Sequence, residues 1–318
     1  ACGVCFPVPV SPRFSMNVRK RKIFERKYPN MKKLLSLLLA LALVFSLAAC
    51  GSKTDDTNTD DTQGDANTES VDLVVFAAAS MTETLTEIAE MYKEVAPNVN
   101  ITYNFDSSGK LLTQISEGAD CDLFISAAPK QMNAMDGSLI DDKDKNPDGL
   151  DFIVTDSRID LLENKVTLAV PEGNPKNIQS FDDLASRLQA GDILMVMGNS
   201  DVPVGQYTQK ILAYYNLDEE SLASAGVITY ATNVKEVTSQ VSAGSADCGV
   251  IYQTDAYSAG LTVVDSATKD MCGRVVYPAA ATKAAPNPEG ARAFLDFLRG
   301  DEASSDFSEV GFTPLASN

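Results

Sequence analysis

Small or backbone-exposing residues stand where predicted strands end, and most of these places directly precede a predicted helix. They are Ser80, Ser107-Ser108-Gly109, Val202-Pro203-Val204-Gly205 and Thr232-Asn233-Val234, with Tyr252 at the end of a fifth strand. Hydroxyl and backbone N–H groups that converge from several loops can hold a desolvated oxyanion without burying a counter-charge. The pattern therefore indicates anion binding by neutral donors. Each junction taken alone is more often structural than functional.

The junction at Ser80 shows how such a donor is positioned. Leu73 to Phe76 is a continuous apolar run, which is typical of a strand that is covered on both faces. Ser80 follows at the position of a helix N-cap, and Glu83 three residues later completes a capping-box pattern. The stretch predicts a buried strand leading into a helix whose free N–H groups suit an anion. An ordinary strand–helix junction is the alternative.

The order of strand, polar loop and helix recurs along the chain. Strands are predicted at 99–105, 122–126, 166–170, 193–197, 227–230, 248–252 and 275–280, and helices include 181–190 and 288–298. Residues 136–160 are predicted to be irregular, apart from a short strand at 152–154. This alternation predicts parallel sheets with crossover helices, in which ligands bind at the carboxyl ends of the strands.

Two segments of the chain resemble each other. Glu117–Ser126 and Ala243–Tyr252 both run from a helix end through Ala-Asp-Cys into an apolar strand. Because one copy lies in each half, two similar domains that face each other are a reasonable hypothesis. A chance match between two common phrases is the alternative.

Residues 31–49 have the pattern of a bacterial lipoprotein signal peptide. Met31-Lys32-Lys33 is followed by the apolar residues 34–47, a run that is short for a membrane-spanning helix. Leu47-Ala48-Ala49-Cys50 resembles a lipobox, in which the cysteine carries the lipid. We therefore expect Cys50 to anchor the protein at the extracytoplasmic face of the cell membrane. An uncleaved anchor is the alternative, and a Gram-positive surface and a periplasm both remain open.

The segments on either side of this signal peptide have their own compositions. Residues 1–30 are basic and precede a complete signal peptide, so we interpret them as a non-native or upstream extension. Residues 50–70 are rich in Asp, Thr, Asn, Ser and Gly, which predicts a flexible acidic tether.

The charge of the remaining chain limits the possible partners. Residues 50–318 carry 17 basic and 43 acidic side chains, a formal net charge of −26. Such a surface argues against nucleic acid and repels anions at long range, so an anion site must use local, buried donors. The sequence contains no histidine, which excludes acid–base, triad or metal chemistry that needs one.

Six motifs, in order along most of the chain, resemble the molybdate-binding proteins of bacterial ABC importers. They are Phe76–Thr82, Phe105–Leu111, Ala119–Ala127, Val202–Tyr207, Gly249–Ala256 and Gly311-Phe312-Thr313. The resemblance implies an α/β, two-lobed periplasmic-binding-protein fold of type II, each lobe a mostly parallel sheet flanked by helices. Lobe 1 would comprise residues 71–163 plus 276–318, and lobe 2 would comprise residues 164–275.

The same resemblance implies the ligand and its contacts. Molybdate or tungstate would be bound through its oxygens by the hydroxyls of Ser80, Ser108 and Tyr252 and by the backbone N–H groups of Val204 and Val234. It implies no cofactor, no directly ligating metal site and no catalytic residue. A monomer would deliver the anion to an ABC permease and its ATPase.

The sequence departs from the commoner form of this family's second motif. Gly109 and Lys110 replace a Ser-Thr pair, which allows a cation next to the site. Val204 is often alanine in relatives, but a residue that contributes only its backbone N–H tolerates this change.

Two other functions remain as alternatives. The neutral donors would also suit sulfate or phosphate, because cavity size and protonation state select among tetrahedral oxyanions. Ser107-Ser108-Gly109-Lys110 fits the S-x-x-K pattern of serine acyl-transfer enzymes, with Ser107 and Lys110 in the reacting roles. The partner motifs Ser-Asp-Asn and Lys-Thr-Gly are absent from the sequence, so we expect no enzyme activity.

Besides Cys50, three cysteines follow the signal peptide, at positions 121, 248 and 272. An odd number is unusual for an exported chain, and Cys248 and Cys272 could pair. The sequence leaves open whether they form a disulfide. No CxxC spacing occurs after the signal peptide, which argues against a structural zinc site.

Overall fold

The computed structural model describes residues 70–315. The predicted extension, signal peptide, lipidation site Cys50 and tether span residues 1–70, and all but Ser70 lie outside the described residues, as do residues 316–318. Within the described part, no helix is long and apolar enough to cross a membrane.

The described residues form eleven strands and eleven α-helices. The strands are β1 (Val71–Ala78), β2 (Val99–Asp106), β3 (Leu123–Ile125), β4 (Ile159–Asn164), β5 (Val166–Val170), β6 (Met195–Gly198), β7 (Ile228–Ala231), β8 (Cys248–Tyr252), β9 (Thr262–Ser266), β10 (Val275–Ala281) and β11 (Thr313–Pro314). The helices are α1 (Thr82–Val95), α2 (Ser108–Ser116), α3 (Pro129–Ala134), α4 (Phe181–Ala190), α5 (Pro203–Tyr214), α6 (Glu219–Ser224), α7 (Val234–Ser242), α8 (Gln253–Ala259), α9 (Lys269–Cys272), α10 (Pro288–Leu298) and α11 (Asp301–Val310). Short 3₁₀ turns cover Ala79–Met81, Gly137–Leu139 and Thr155–Ser157.

These strands form two sheets. The first sheet has the order β11-β4-β10-β3-β1-β2, and the second has the order β7-β6-β8-β5-β9. β1 pairs in parallel with β2 and β3, and β6 pairs in parallel with β7 and β8. The other five pairings in the described chain are antiparallel. The α/β class is therefore confirmed, with sheets that are mixed rather than mostly parallel.

The chain crosses between the sheets twice within this order. It leaves the first sheet at Asn164, the last residue of β4, and enters the second sheet at Val166. It returns between Ser266 and Val275. Leu162 and Val166 belong to one continuous hydrophobic cluster, so apolar packing extends from the first sheet to the second.

Burial follows the hydrophobic pattern of the sequence. Leu73 and Val75 of β1 are completely buried, and α1 buries Leu85, Ile88 and Tyr92 at the helical spacing of three to four residues. Burial of each such side chain stabilises the fold by roughly 1.5–3 kcal/mol. The main elements that the sequence predicted correctly are therefore those in which apolar residues recur at the spacing of a strand or a helix.

Some elements differ from the prediction. β8, α4 and α10 have the predicted bounds, whereas β4 and β9 were not predicted. β9 is an edge strand whose residues are at most half-buried, so its sequence carries little apolar signal. The short strand predicted at 152–154 is reduced to a single bridge between Ile153 and Thr282.

The two similar segments occupy equivalent places, but in a different register from the one that the sequence suggested. The backbone N–H of Asp122 donates to Val74 O (2.8 Å), and its Oδ2 accepts from Val74 N–H (2.7 Å). Asp247 makes the same two bonds with Leu194, each 2.8 Å long. Asp122, and not the Asp120 of the Ala-Asp-Cys phrase, is thus the counterpart of Asp247.

The three cysteines of the described chain are free and buried. The suggested Cys248–Cys272 disulfide is therefore wrong for this structure. Burial raises the pKa of the Cys121 thiol to about 12 and also raises the pKa of Cys248 and Cys272. These thiols are protonated at neutral pH and act as small apolar groups.

The hydrogen bonds of Asp122 predict how much stability is lost when its carboxylate is removed. Asp122 is completely buried, and its second oxygen accepts the N–H of Asn287 (2.6 Å), so Asp122→Ala leaves two backbone donors without an acceptor. We expect the free energy of unfolding, measured with urea, to fall by about 2–4 kcal/mol. The matched change at exposed Asp120 should cost less than about 0.5 kcal/mol. Equal losses at the two positions would contradict the register.

Candidate functional site

Ser80 lies just beyond β1, inside the 3₁₀ turn Ala79–Met81. Its hydroxyl is buried and lies 2.9 Å from the hydroxyl oxygen of Tyr277 on β10. α1 begins at Thr82, and neither the turn nor α1 receives a capping bond from a side chain. The predicted capping box is therefore wrong, because Ser80 bonds to Tyr277 and Glu83 bonds to Lys235. The Ser80 hydroxyl is held by the sheet and not by the helix.

Ser108 is the first residue of α2 and is completely buried. Its Oγ accepts the backbone N–H of Ala127 at 3.0 Å, so its own proton remains available to a further acceptor. The neighbouring Ser107 is the N-cap residue, and its Oγ accepts the N–H of Lys110 at 3.4 Å. Lys110 Nζ lies 3.4 Å from Asp106 Oδ1. The suggested catalytic pair is thus a helix cap and an ion-paired lysine.

Val204 and Val234 lie in the first turns of α5 and α7. Val204 follows Pro203, the first residue of α5, and Val234 is the first residue of α7. Both residues are buried. The first four N–H groups of an α-helix have no acceptor within the helix, so each valine presents a backbone donor at a positive helix end.

Tyr252 ends β8 and is almost completely buried, at 1% exposure. Within the described residues, its hydroxyl oxygen has no hydrogen-bond partner. Its ring packs against Tyr277 and Tyr207, with centroid distances of 5.7 and 6.4 Å. Burial raises the pKa of Tyr252 well above its ordinary value, so the phenol keeps its proton. An unsatisfied buried donor costs about 1–3 kcal/mol, which an acceptor at this position would recover.

Two contacts link elements of the first sheet that carry these donors to elements of the second sheet. A Cβ atom on Gly109, next to Ser108, would overlap the carbonyl oxygen of Asp201, which precedes α5 by two residues. α7 packs against the 3₁₀ turn that contains Ser80. The first contact sets the start of α2 against the segment before α5, and the second sets α7 against the turn that follows β1.

An ion-pair group lies beside the same contact. Lys235 Nζ lies 2.7 Å from Glu83 Oε2 on α1 and 3.0 Å from Asp255 Oδ1 on α8. Glu83 follows a strand of the first sheet, whereas Lys235 follows a strand of the second, so this pair spans the two sheets. The positive charge of Lys235 is thus neutralised by carboxylates.

Sequence reasoning missed three polar residues that lie in this region. Tyr277 bonds to Ser80, and Asn164 Nδ2 lies 3.2 Å from Tyr277 Oη and 3.0 Å from Thr254 Oγ1. Asn164 and Tyr277 lie outside the predicted junctions between strand ends and helices, whereas Thr254 follows the junction at Tyr252 by two residues. An isolated polar side chain within an apolar strand, as at Tyr277 in Val275–Ala281, is the signal that could have identified them.

The buried carboxyl of Asp255 predicts a pH effect. Burial raises the pKa of Asp255 from 3.8 to about 6, although Lys235 acts to lower it. The folded state holds this proton more tightly than the unfolded chain does. The protonated carboxyl of Asp255 therefore contributes its full stabilisation of the fold below about pH 4, and this contribution is lost as the pH rises through about 6. Asp255→Asn removes this titration.

We therefore expect the variant to gain free energy of unfolding relative to the wild type between about pH 4 and pH 7, by up to about 3 kcal/mol. Urea unfolding across this range measures the difference, and the exposed carboxylate variant Asp144→Asn is the control. A difference between Asp255→Asn and the wild type that does not change with pH would contradict the assignment.

Comparisons with known proteins agree with this architecture. The model of the family described as bacterial extracellular solute-binding protein matches residues 73–313. A protein of Bacillus subtilis (strain 168), provisionally named an ABC transporter substrate-binding lipoprotein, YvgL, is 31% identical over 284 residues, which cover 89% of this chain and 98% of that protein. The molybdate-binding protein ModA of Escherichia coli (strain K12) is 30% identical over 290 residues, with coverage of 89% and 98%.

A solved structure shows the same relationship. It is the substrate-binding domain of a provisionally assigned molybdenum ABC transporter from Clostridium difficile, 32% identical, with a TM-score of 0.56 and coverage of 77% of this chain and 100% of that domain. These matches confirm the two-lobed periplasmic-binding-protein fold, the resemblance to molybdate-binding proteins, and the prediction that the chain is not an enzyme. The chain belongs to the family of bacterial extracellular solute-binding proteins.

Proposed function

We propose that this protein binds molybdate or tungstate between two lobes and delivers the anion to an ABC importer. The observation that carries the proposal is the Tyr252 hydroxyl, a buried donor without a partner among the described residues. It stands at the end of a strand of the second sheet and packs against Tyr277, which bonds to Ser80 of the first sheet. An oxyanion between the sheets would supply the acceptor that Tyr252 lacks.

The donor set consists of neutral groups from both sheets. Ser80 and Ser108 would donate from the first sheet, and the N–H groups of Val204 and Val234 would donate from the second together with Tyr252. Neutral donors hold a dianion without the cost of burying a cation beside it, and the ends of α5 and α7 add a favourable field. Lys110, the cation that the sequence allowed next to the site, pairs with Asp106 and remains 43% exposed.

Binding would close the two lobes on the ligand. We assign residues 71–163 plus 276–318 to lobe 1 and residues 164–275 to lobe 2. An anion that contacts both lobes only in the closed form shifts the population toward that form. The Lys235–Glu83 pair adds a further contact between the lobes, but its exposure limits it to about 0–1 kcal/mol.

The donor set also bears on the choice among oxyanions. At neutral pH phosphate carries a proton that needs an acceptor, whereas molybdate, tungstate and sulfate do not. The carboxylates next to the donors are already engaged, Asp106 by Lys110 and the N–H of Ser107, and Glu83 by Lys235. This disfavours phosphate. Sulfate is the remaining alternative, and the longer metal–oxygen bonds of molybdate and tungstate would select them through cavity size.

The anchoring and the partners belong to the same proposal. Cys50 would carry the lipid, and the tether up to residue 70 would hold the lobes near the extracytoplasmic face of the membrane. The related Bacillus protein is itself provisionally named a lipoprotein. From this position a monomer would dock on the permease, which a cytoplasmic ATPase drives. The protein itself needs no cofactor for this task.

A thermal-shift screen with molybdate, tungstate, sulfate and phosphate tests the ligand. We expect molybdate and tungstate to raise the Tm, because a ligand at a thousand times its Kd stabilises the folded state by about 4 kcal/mol. A rise with sulfate alone would transfer the protein to the sulfate alternative. No rise with any of the four anions would refute the proposed function.

Single substitutions test the site. We expect Ser108→Ala and Tyr252→Phe each to weaken molybdate binding, measured by calorimetry, by about 1–3 kcal/mol, because each removes a hydrogen bond to a charged group. Ser108→Ala also removes the acceptor of the Ala127 N–H, so the unfolding transition of each variant must be recorded as well.

Each variant has a matched control. Ser116 lies on the same helix as Ser108, and its hydroxyl donates to Leu112 O, so Ser116→Ala should leave the affinity unchanged. Tyr103 donates to Leu85 O away from these junctions, which makes Tyr103→Phe the control for Tyr252→Phe. Unchanged affinity in both site variants would contradict the assignment.

A further inference from the structure

Three buried polar side chains form a hydrogen-bond chain that ends at Ser80. Asn164 Nδ2 lies 3.2 Å from Tyr277 Oη, and Tyr277 Oη lies 2.9 Å from Ser80 Oγ. The three residues are exposed by 4% or less. Asn164 Nδ2 also lies 3.0 Å from Thr254 Oγ1 on α8. The chain thus runs from the crossing between the two sheets to the end of β1.

Which groups donate and which accept in this hydrogen-bond chain follows from the protons that each group carries. Asn164 Oδ1 accepts the N–H of Lys165 at 2.8 Å, which places the amide nitrogen toward Tyr277 and Thr254. An amide nitrogen only donates, so Tyr277 Oη accepts from Asn164. Burial raises the pKa of Tyr277 well above its ordinary value, so the phenol keeps its single proton.

Two hydrogen bonds decide where that proton points in the described structure. The partners of Tyr277 Oη among the described residues are Asn164 Nδ2 and Ser80 Oγ, and only Ser80 can accept. Ser80 Oγ therefore receives the proton of Tyr277, and the proton of Ser80 itself is free to point elsewhere. If Ser80 donated to Tyr277 instead, the phenol proton would lose this acceptor and would have to turn toward the hydroxyl of Tyr252, whose ring packs against Tyr277 but which forms no hydrogen bond among the described residues.

We propose that Asn164 and Tyr277 are positioning residues that turn the Ser80 hydroxyl into a committed donor toward the bound oxyanion. This inference rests on the proposed function. A free serine hydroxyl rotates among several acceptors, whereas one whose oxygen already accepts from Tyr277 has its proton directed away from that bond. The anion then meets a donor that does not need to reorient, and the ordering cost of binding falls.

The position of Asn164 connects this chain to closure. Asn164 is the last residue of β4, directly before the chain enters the second sheet, and Thr254 lies on a helix that follows β8 of the second sheet. The Asn164 amide therefore bonds both to Tyr277 in the first sheet and to Thr254 on the helix that follows the second sheet's β8. The direction of the Ser80 proton is set by the arrangement in which the two sheets meet.

A double-mutant cycle on molybdate affinity separates this role from a structural one. The four proteins are the wild type, Ser80→Ala, Tyr277→Phe and the double variant, with molybdate binding measured by calorimetry. We expect Tyr277→Phe to weaken binding about 5- to 30-fold when Ser80 is present. In the Ser80→Ala background the same change should weaken binding less than about twofold, because no hydroxyl remains to be directed.

Other results overturn the inference. If Tyr277→Phe lowers the affinity for molybdate equally with Ser80 and with Ala at position 80, Tyr277 acts through packing. If Tyr277→Phe does not lower the affinity when Ser80 is present, the hydrogen-bond chain does not direct the donor. If wild-type protein does not bind molybdate, the proposed function fails and the role of the chain fails with it, which is a separate result from equal losses in a binding protein.

A control and a second variant keep the cycle informative. Tyr103→Phe also removes one tyrosine hydroxyl bond, to Leu85 O, and should leave the affinity within about twofold of the wild type in either background. Asn164→Asp keeps the size of the side chain but replaces the donor with an acceptor, so Tyr277 would donate to it and Ser80 would lose its direction. We expect a loss of affinity similar to that of Tyr277→Phe, and an unchanged affinity would overturn the role of Asn164.

Discussion

The approach of Gly109 to the backbone of Asp201 decides how closely the two sheets can meet. A side chain at position 109 would overlap the Asp201 carbonyl oxygen, so only glycine permits this contact. Ser108 stands on one side of the contact and Val204 follows it on the other, each at the start of a helix. In the proposed site, donors from the two sheets would approach one small ligand across this contact, which in this structure needs the missing Cβ at position 109.

The negative charge of the chain bears on how the proposed site would bind an anion. Residues 50–318 carry a net charge of −26, which repels an approaching anion. Salt screens this repulsion beyond about 8–10 Å. In the proposed site, affinity for a dianion would then come from short hydrogen bonds in a dry site and not from a long-range field. Lys235, which could have supplied a positive charge, is held by Glu83 and Asp255. The choice of the proposed site among oxyanions would thus depend on the geometry of its donors.

The sequence predicts the places of the donors better than their local bonding. The junctions at Ser108, Val204 and Val234 lie at helix starts as expected, because strand ends and caps leave strong local signals. Ser80 was expected to cap a helix, but it bonds instead to Tyr277, almost two hundred residues later in the chain. No local pattern contains a contact of that range. The binding roles of these residues stay predictions.

The same dependence on local sequence signals explains where the predicted fold was wrong. β9 is a half-exposed edge strand, and β4 follows a long irregular stretch, so neither has the apolar period that marks β1 or β8. The Ala-Asp-Cys phrase revealed two equivalent segments, yet hydrogen bonds to Val74 and Leu194 set their register at Asp122 and Asp247. The similar residues indicated the repeat, but only the hydrogen bonds to the backbone show which residues of the two segments correspond.

The central claim is that neutral donors from both sheets hold one oxyanion. A crystal structure of the protein grown with molybdate, with the metal located by its anomalous scattering, tests this claim most directly. The account predicts one tetrahedral anion within hydrogen-bond distance of the hydroxyls of Ser80, Ser108 and Tyr252 and of the N–H groups of Val204 and Val234. An anion held mainly by Lys110 or Lys235, or one that touches a single sheet, would contradict it.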